Sequence, residues 1–498
     1  MRRSSSAVVL GSVLALAAAE SQRVTSLPGV GAINGTHFAG NITVPYASSN
    51  LTVFYYLAQH EDLSAPLIVW MNGGPGASSL MGLFTELGPY LINERSVRAD
   101  GGWALEANPH AWSAVGSLLV WEQPAGVGFS ACDTDDGACG FVWDDDSSAD
   151  ANLAFLVAFF DMFPAERERA LYITGESYGG IYVPVLAARV AAHNLVARDD
   201  ARIALRGIAV GNGCVGYGVA GGCGLDALEL FVTSLEQASP DADRATLAAA
   251  RAACDGELDV GSAPEDLSDG CRSAVRAVFL EAAEFNTYHL ASACGPDGQG
   301  NWGDGDGFAC SGKPTGGGDG ALQRYLGDAA TQAALHALAD AGDAARAWRT
   351  WDGDSALYDI TLADATPVYA SLLADETNCS VLVYNGLRDA GVPHQGAQKW
   401  VPAVGGALVA PRRAWGTPPD GVLAGHVTSF APARDAPSGG GVLTYATVQG
   451  AGHLVPADRP ATALAMISSF VRGEPLPPYE GVACKPLWTG RGYMDFCA

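Results

Sequence analysis

Serine, aspartate and histidine can together carry out acyl transfer, and one of each stands just beyond a run of apolar residues in this chain. Ser177 lies in LYITGESYGG (Leu171–Gly180), where a strand-like run breaks into Gly-x-Ser-x-Gly. Such a turn is a nucleophile elbow when small flanking residues let the backbone bend sharply and push the hydroxyl outward. In a chain of 498 residues with 62 glycines the same pattern also arises as an ordinary turn. The serine therefore needs partners: a base to take its proton and a carboxylate to orient that base. Asp389 in NGLRDAGVPHQG and His453 in QGAGHLVPADRP follow the strand-like runs Ser380–Tyr384 and Leu443–Val448. Taken singly, Asp389 reads as a solvated turn residue and His453 as a structural histidine. Together, in this order and at strand ends, they read as orienting carboxylate and general base. A tetrahedral intermediate would also need two backbone donors. The N–H of Tyr178 is one candidate, and the glycine-rich loop Asn72–Gly76 offers the other.

The elements that must position these residues are legible in outline. The runs TVFYYLAQ, PLIVWMNGGPG, SLLVWEQPAGVGFS and ALYITGESYGG, most of them closed by Gly or Pro, read as strands. Helical spacing over Ser148–Phe163 and an apolar segment Ile181–His193 alternate with them, Pro184 being tolerable in the first turn of the second helix. Strands alternating with helices imply a mainly parallel sheet, at whose carboxyl edge ligands and catalytic groups gather. The chain order Ser, Asp, His is that of an α/β hydrolase. After IALRGIAVGNG the character changes. Cys214–Ala356 holds six of the eleven cysteines, Ala-rich helical segments (Ala242–Cys254, Ser273–Phe285) and a glycine-rich loop. The GDGDG piece of that loop lacks the spacing and closing Glu of a calcium loop, so a flexible loop is the better reading and no metal site is expected. The expected fold is α/β: a mainly parallel central sheet flanked by helices, with an inserted, disulfide-rich helical cap. The expected divisions are a signal peptide (1–19), the N-terminal part of the core (20–213), the cap (214–356) and the C-terminal part of the core (357–498).

Composition narrows the function further. With 28 basic against 54 acidic residues and a net charge of -26, the chain lacks the clustered Lys and Arg that nucleic-acid phosphates require. The charge suits an acidic compartment, and surface solubility explains it equally well. The N-terminus MRRSSSAVVLGSVLALAAAE reads as a signal peptide cleaved after Ala19. No later run approaches the roughly 20 apolar residues of a membrane span, and GRGYMDFCA is neither a GPI-type tail nor an ER-retention ending. A protein of the secretory route with no stable membrane anchor is expected. Asn34, Asn41, Asn50 and Asn378 begin sequons and are candidate glycosylation sites, chance matches being the alternative. Eleven cysteines, none in CxxC, point to disulfides rather than zinc. Their connectivity is open, and an odd count leaves at least one without an intramolecular partner.

In WMNGGPGASSL, FTELGP, WEQPAGVGFS, ITGESYGGIYVP, GIAVGNG, YNGLRDAGVP and GAGHLVPADRPATAL, from Asn50 to Val471, the chain resembles the serine carboxypeptidases of peptidase family S10, with its cathepsin A-like and yeast carboxypeptidase Y-like members. The resemblance implies that Ser177 is the nucleophile, His453 the base and Asp389 its orienter, with Gly74 and Tyr178 as oxyanion donors. It implies that Trp70, Asn72, Gly73 and Glu176 bind the substrate's C-terminal carboxylate, with Glu86 beside Glu176, and that Leu454 lines the leaving-group side. Two carboxyls in one buried site cannot easily both ionise, so a proton stays to hydrogen-bond that carboxylate. Ala77 departs from the pattern: a cysteine often follows GGPG in the family, and its disulfide is missing here. The implied activity is release of C-terminal amino acids from peptides and proteins through an acyl-enzyme at acidic pH, without a cofactor, in a lysosome or vacuole or outside the cell. The alternatives are an acyltransferase of the same fold and, as an additional role, a protective partner of lysosomal-type glycosidases. The expected partners are peptide or protein C-termini, and a homodimer is left open.

Overall fold

The computed structural model describes residues 17–46, 49–133, 139–224, 226–238, 244–261, 267–282, 286–291, 320–338, 348, 358–374, 379–419, 421–431, 441–481, 485–489 and 492–496. Most of the signal-peptide segment, Asn378, nearly all of the glycine-rich loop, and Cys294, Cys310, Cys484 and Cys497 lie outside them.

The N-terminal strands β1 (Arg23–Leu27), β2 (Gly31–Tyr46) and β3 (Ser49–Gln59) form an antiparallel meander. It leads into β4 (Leu67–Met71), β5 (Ser117–Trp121), β6 (Leu171–Glu176), β7 (Leu205–Gly211) and β8 (Ser380–Gly386). The last three strands of the sheet are β9 (Ala407–Thr417), β10 (Val422–Ala431) and β11 (Leu443–Val448). Their spatial order is β1-β2-β3-β5-β4-β6-β7-β8-β11-β10-β9. The six neighbours from β5 to β11 run parallel, and the pairs at both ends of the sheet are antiparallel. This is the α/β hydrolase sheet. The sequence analysis did not foresee the hairpin β9–β10 that closes one edge.

Unbroken apolar runs become strands covered on both faces. In β4, Leu67, Val69 and Met71 enter one core while Ile68 and Trp70 enter the other, as the period of two requires. The first core is capped by α1 (Asp145–Met162) and α2 (Gly179–Val196), which contribute Phe155, Phe159, Ile181 and Leu186. The helix α1 starts where it does because Asp144 and Ser147 form a reciprocal capping box, which leaves Asp145 at its first position. Pro184 lies at the sixth residue of α2 rather than in its first turn. Proline cannot bond the carbonyl four residues back, and the freed Gly180 carbonyl accepts instead from the Tyr369 hydroxyl at 2.8 Å.

Between β7 and β8 the chain forms α3 (Ala227–Ala238), α4 (Arg244–Ala253) and α5 (Asp269–Ala282). Their amphipathic faces meet in a separate small core of Leu228, Phe231, Leu235, Leu247 and Val278, which also takes in Ala390. Disulfides Cys214–Cys223 and Cys254–Cys271 lie in this insertion, while Cys132–Cys139 lies in the core ahead of α1. The helices α6 (Thr366–Ala374), α7 (His394–Gly405) and α8 (Pro460–Val471) complete the layers. Among the described residues no helix is long and apolar enough to cross a membrane.

Candidate active site

Ser177 follows β6 directly and takes φ +58°, a left-handed conformation that costs a non-glycine residue about 1–2 kcal/mol. Three backbone bonds hold it there. Its N–H donates to the Gly211 carbonyl at 3.0 Å, and its carbonyl accepts from Gly180 at 2.9 Å and Cys214 at 2.8 Å. Close approach requires glycine at two positions of this turn: a Cβ on Gly175 would lie 2.4 Å from the Met71 carbonyl oxygen, and one on Gly180 would lie 2.1 Å from that of Cys214. The loop after β4 presses on the same turn, for a Cβ on Gly73 would meet the Tyr178 nitrogen at 2.4 Å. Gly74, at φ +112°, turns the chain beside it. Among the described residues, neither the Gly74 nor the Tyr178 amide donates to a protein acceptor.

Asp389 and His453 meet. His453 Nδ1 and Asp389 Oδ2 are 2.7 Å apart, and both residues are buried. Asp389 also accepts from Asn212 Nδ2 at 2.8 Å, the Gly391 N–H at 2.8 Å and the Val392 N–H at 3.1 Å. Those donors fix the carboxylate, and the carboxylate fixes the ring. His453 Nε2 is buried without a hydrogen-bond partner, so Ser177 and His453 are not hydrogen-bonded to each other here. Catalytic bonds of this kind are often long before substrate arrives.

Two contributors escaped the sequence analysis. Asn212 follows β7, the strand between those that carry Ser177 and Asp389, donating to Asp389 and accepting from the Gly386 N–H at 3.0 Å. Its signal was the GNG of GIAVGNG, noted as a motif without a role. The second is the segment 286–291, in the insertion. Thr287 and Leu290 bond the backbone on either side of Asp389, and the His453 N–H donates to the Tyr288 carbonyl at 2.7 Å. The Tyr288 ring stands edge-on to the imidazole, centroids 4.4 Å apart. The insertion thus braces both loops, a role no local pattern announces.

Glu176, Glu86, Asn72 and Trp70 also come together. Asn72 Nδ2 donates to Glu176 Oε1 at 2.8 Å, while Asn72 Oδ1 accepts from Trp70 Nε1 at 2.8 Å and the Gly82 N–H at 3.1 Å. These two donors settle which way the amide points. Trp70 is fully buried and its N–H is used, so it acts on this site through Asn72. Glu86 comes from a π-helical turn, Leu83–Leu87. Neither of its oxygens nor Glu176 Oε2 has a hydrogen-bond partner among the described residues, and the two carboxyls lie close enough for the charge on one to disfavour ionisation of the other. Burial pushes the Glu86 carboxyl up to about 8. Burial, then the Glu86 charge, raises Glu176 well above the ordinary carboxylate range. Asp458, pushed up to about 6 by burial, lies near enough to add to the Glu86 shift.

The Tyr178 side chain is anchored on another buried carboxylate, Asp145. Asp145 accepts from the hydroxyls of Tyr178 at 2.6 Å and Tyr358 at 3.0 Å, and from the N–H groups of Thr361 at 2.8 Å and Leu362 at 2.7 Å. Leu454 is buried, next to His453. Of the sequons, Asn34 is exposed, while Asn41 and Asn50 are partly buried, with Nδ2 3.5 Å from the His336 carbonyl and 3.4 Å from Asp133 respectively.

Strand order and a serine on a strained strand-to-helix turn, with an Asp–His pair on neighbouring strand ends, define an α/β hydrolase. The family model of serine carboxypeptidases matches residues 28–473, and the chain belongs to that family. It is 30% identical to serine carboxypeptidase-like 25 of Arabidopsis thaliana over 485 residues, covering 92% of this chain and 93% of that one. It is 40% identical to the lysosomal protective protein of Mus musculus over 170 residues, 34% of this chain and 32% of that one. Among solved structures it is similar to the prohormone-processing carboxypeptidase Kex1(delta)p of Saccharomyces cerevisiae. The TM-score is 0.70 at 20% identity, covering 95% of this chain and 98% of that one.

Proposed function

We propose that this chain is a serine carboxypeptidase that removes C-terminal amino acids from peptides and proteins. Ser177 Oγ attacks the carbonyl carbon of the last peptide bond as His453 Nε2 takes its proton. The N–H groups of Gly74 and Tyr178 receive the charge that develops on the carbonyl oxygen. His453 then passes the proton to the departing amine nitrogen, and water, activated by the same imidazole, releases the acyl group from Ser177. Asp389 keeps the ring in one tautomer throughout.

The observation that carries this reading is the buried Glu86–Glu176 pair, held by Asn72 immediately before the nucleophile. A pair that retains a proton offers an O–H to the substrate's terminal carboxylate, and Asn72 and the Gly73 N–H add neutral donors. Two bare anions at that distance would repel. Affinity for free-acid peptides is therefore kept in acid and lost as the pH rises through the raised pKa of the pair. The disulfides support an oxidising, secretory setting, and we read 214–356 as a cap inserted into the hydrolase core.

Incubation with matched free-acid and C-terminally amidated peptides across acid to neutral pH tests the reading. Stepwise shortening of the free-acid peptides is expected, with KM rising towards alkaline pH for these alone. Transfer of an acyl group from an activated ester to an alcohol, without peptide shortening, would make the chain an acyltransferase instead.

A further inference from the structure

Between α7 and the strands β9 to β11 is a cavity of about 400 Å³. His394 and Gln398 reach it from successive turns of α7, Arg412 from β9 and His426 from β10, while Phe430 and Tyr445 give it an apolar wall. Neither Ser177, Tyr178, Glu176 nor His453 lines it, although it abuts the loops that lead to Asp389 and His453.

Its lining runs against the acidic composition of the chain. In a chain with only 28 basic residues against 54 acidic ones, three nitrogen bases converge on a cavity with no Asp or Glu among its lining residues. Arg412 is close enough to His426 to disfavour its protonation, after burial itself. Arg412 makes no ion pair among the described residues. His394 Nδ1 is shut off from solvent with no hydrogen-bond partner. Asp389 is the acid that reaches His394, and its oxygens are already taken by Asn212, Gly391, Val392 and His453. Arg412 is exposed and His426 partly buried, so an anion seated here would meet one fixed positive charge beside two imidazoles and could take charge-assisted hydrogen bonds from several of them at once.

We propose that this cavity is a binding site for a small organic anion. A carboxylate or phosphate head would sit on Arg412, His394 and His426, with an apolar body against Phe430 and Tyr445. The site is independent of the peptidase reading.

Fluorine NMR titrations of the Ser177→Ala protein with 4-fluorobenzoate, 4-fluorophenyl phosphate and neutral 4-fluorobenzamide test it. Saturable binding of at least one anion is expected, and which one binds identifies the head group. Binding should weaken about tenfold or more in Arg412→Gln combined with His426→Gln, as loss of charge-assisted hydrogen bonds implies, and persist in Asn72→Ala. The proposal is overturned if neither anion saturates, if the benzamide binds as well as the anions, or if Asn72→Ala abolishes binding that the Arg412/His426 variant keeps.

Discussion

Asp145 and Tyr178, separated by 33 positions, are joined by a 2.6 Å hydrogen bond between carboxylate and phenol. The same carboxylate holds Tyr358 and the backbone at Thr361 and Leu362. The first position of α1 is thereby tied to the residue whose N–H follows the nucleophile. Asp145 is a positioning residue in this account. Tyr178→Phe removes the hydroxyl and nothing else, so kcat is expected to fall about tenfold through misplacement of the turn while KM stays nearly constant. Steady-state kinetics on a free-acid peptide decide it, and an unchanged kcat would disconnect the Asp145 anchor from the oxyanion site.

The left-handed backbone at Ser177 separates strain from chemistry. Ser177→Ala and Ser177→Gly should both fold and both lose hydrolysis, because each lacks the nucleophile. Relief of the φ +58° strain, less the extra chain entropy of glycine, should make the Gly variant more stable than the Ala variant by about 0.5–1 kcal/mol. Urea unfolding of the two proteins side by side gives the difference. An Ala variant equal to or more stable than the Gly variant would contradict the strain.

The Glu86–Glu176 pair should also appear in stability. Burial pushes Glu86 up to about 8, whereas an unfolded glutamate titrates at about 4.3. The folded chain therefore holds a proton that the unfolded chain releases. That contribution is fully present below the unfolded value and is lost as pH rises through the interval up to about 8. Thermal unfolding should give a lower Tm at about pH 8 than at about pH 5, and Glu86→Gln, which cannot ionise, should shrink the difference. A pH dependence identical in the variant would remove Glu86 as its source.

Tyr369 repairs the helix that Pro184 interrupts, its hydroxyl donating to the Gly180 carbonyl at 2.8 Å. Tyr369→Phe strands that buried carbonyl and should cost about 1–3 kcal/mol. Denaturant midpoints at unchanged slope would show it, and a loss well below the lower figure would mean that Gly180 finds another donor.

The sequence by itself determined the local chemistry. Glycines flank Ser177 where the chain turns sharply from strand to helix with a left-handed residue, and apolar runs without alternation become strands buried on both faces. Such constraints act within a few residues or on a single strand, so composition and spacing record them. The serine, aspartate and histidine could be placed on strand ends for the same reason. What the tertiary structure alone decided are contacts between segments far apart in the chain, where each partner's own neighbourhood is indifferent to the pairing. Asn212 became a donor to Asp389 only because β7 lies between β6 and β8. Tyr288 reached His453 only because the insertion folds back over both loops, and His394, Arg412 and His426 met only because α7 packs across the β9–β10 hairpin. Whether a carboxyl such as Glu86 keeps its proton depends on how much water the assembled fold excludes, and that is a property of the packed molecule rather than of the motif.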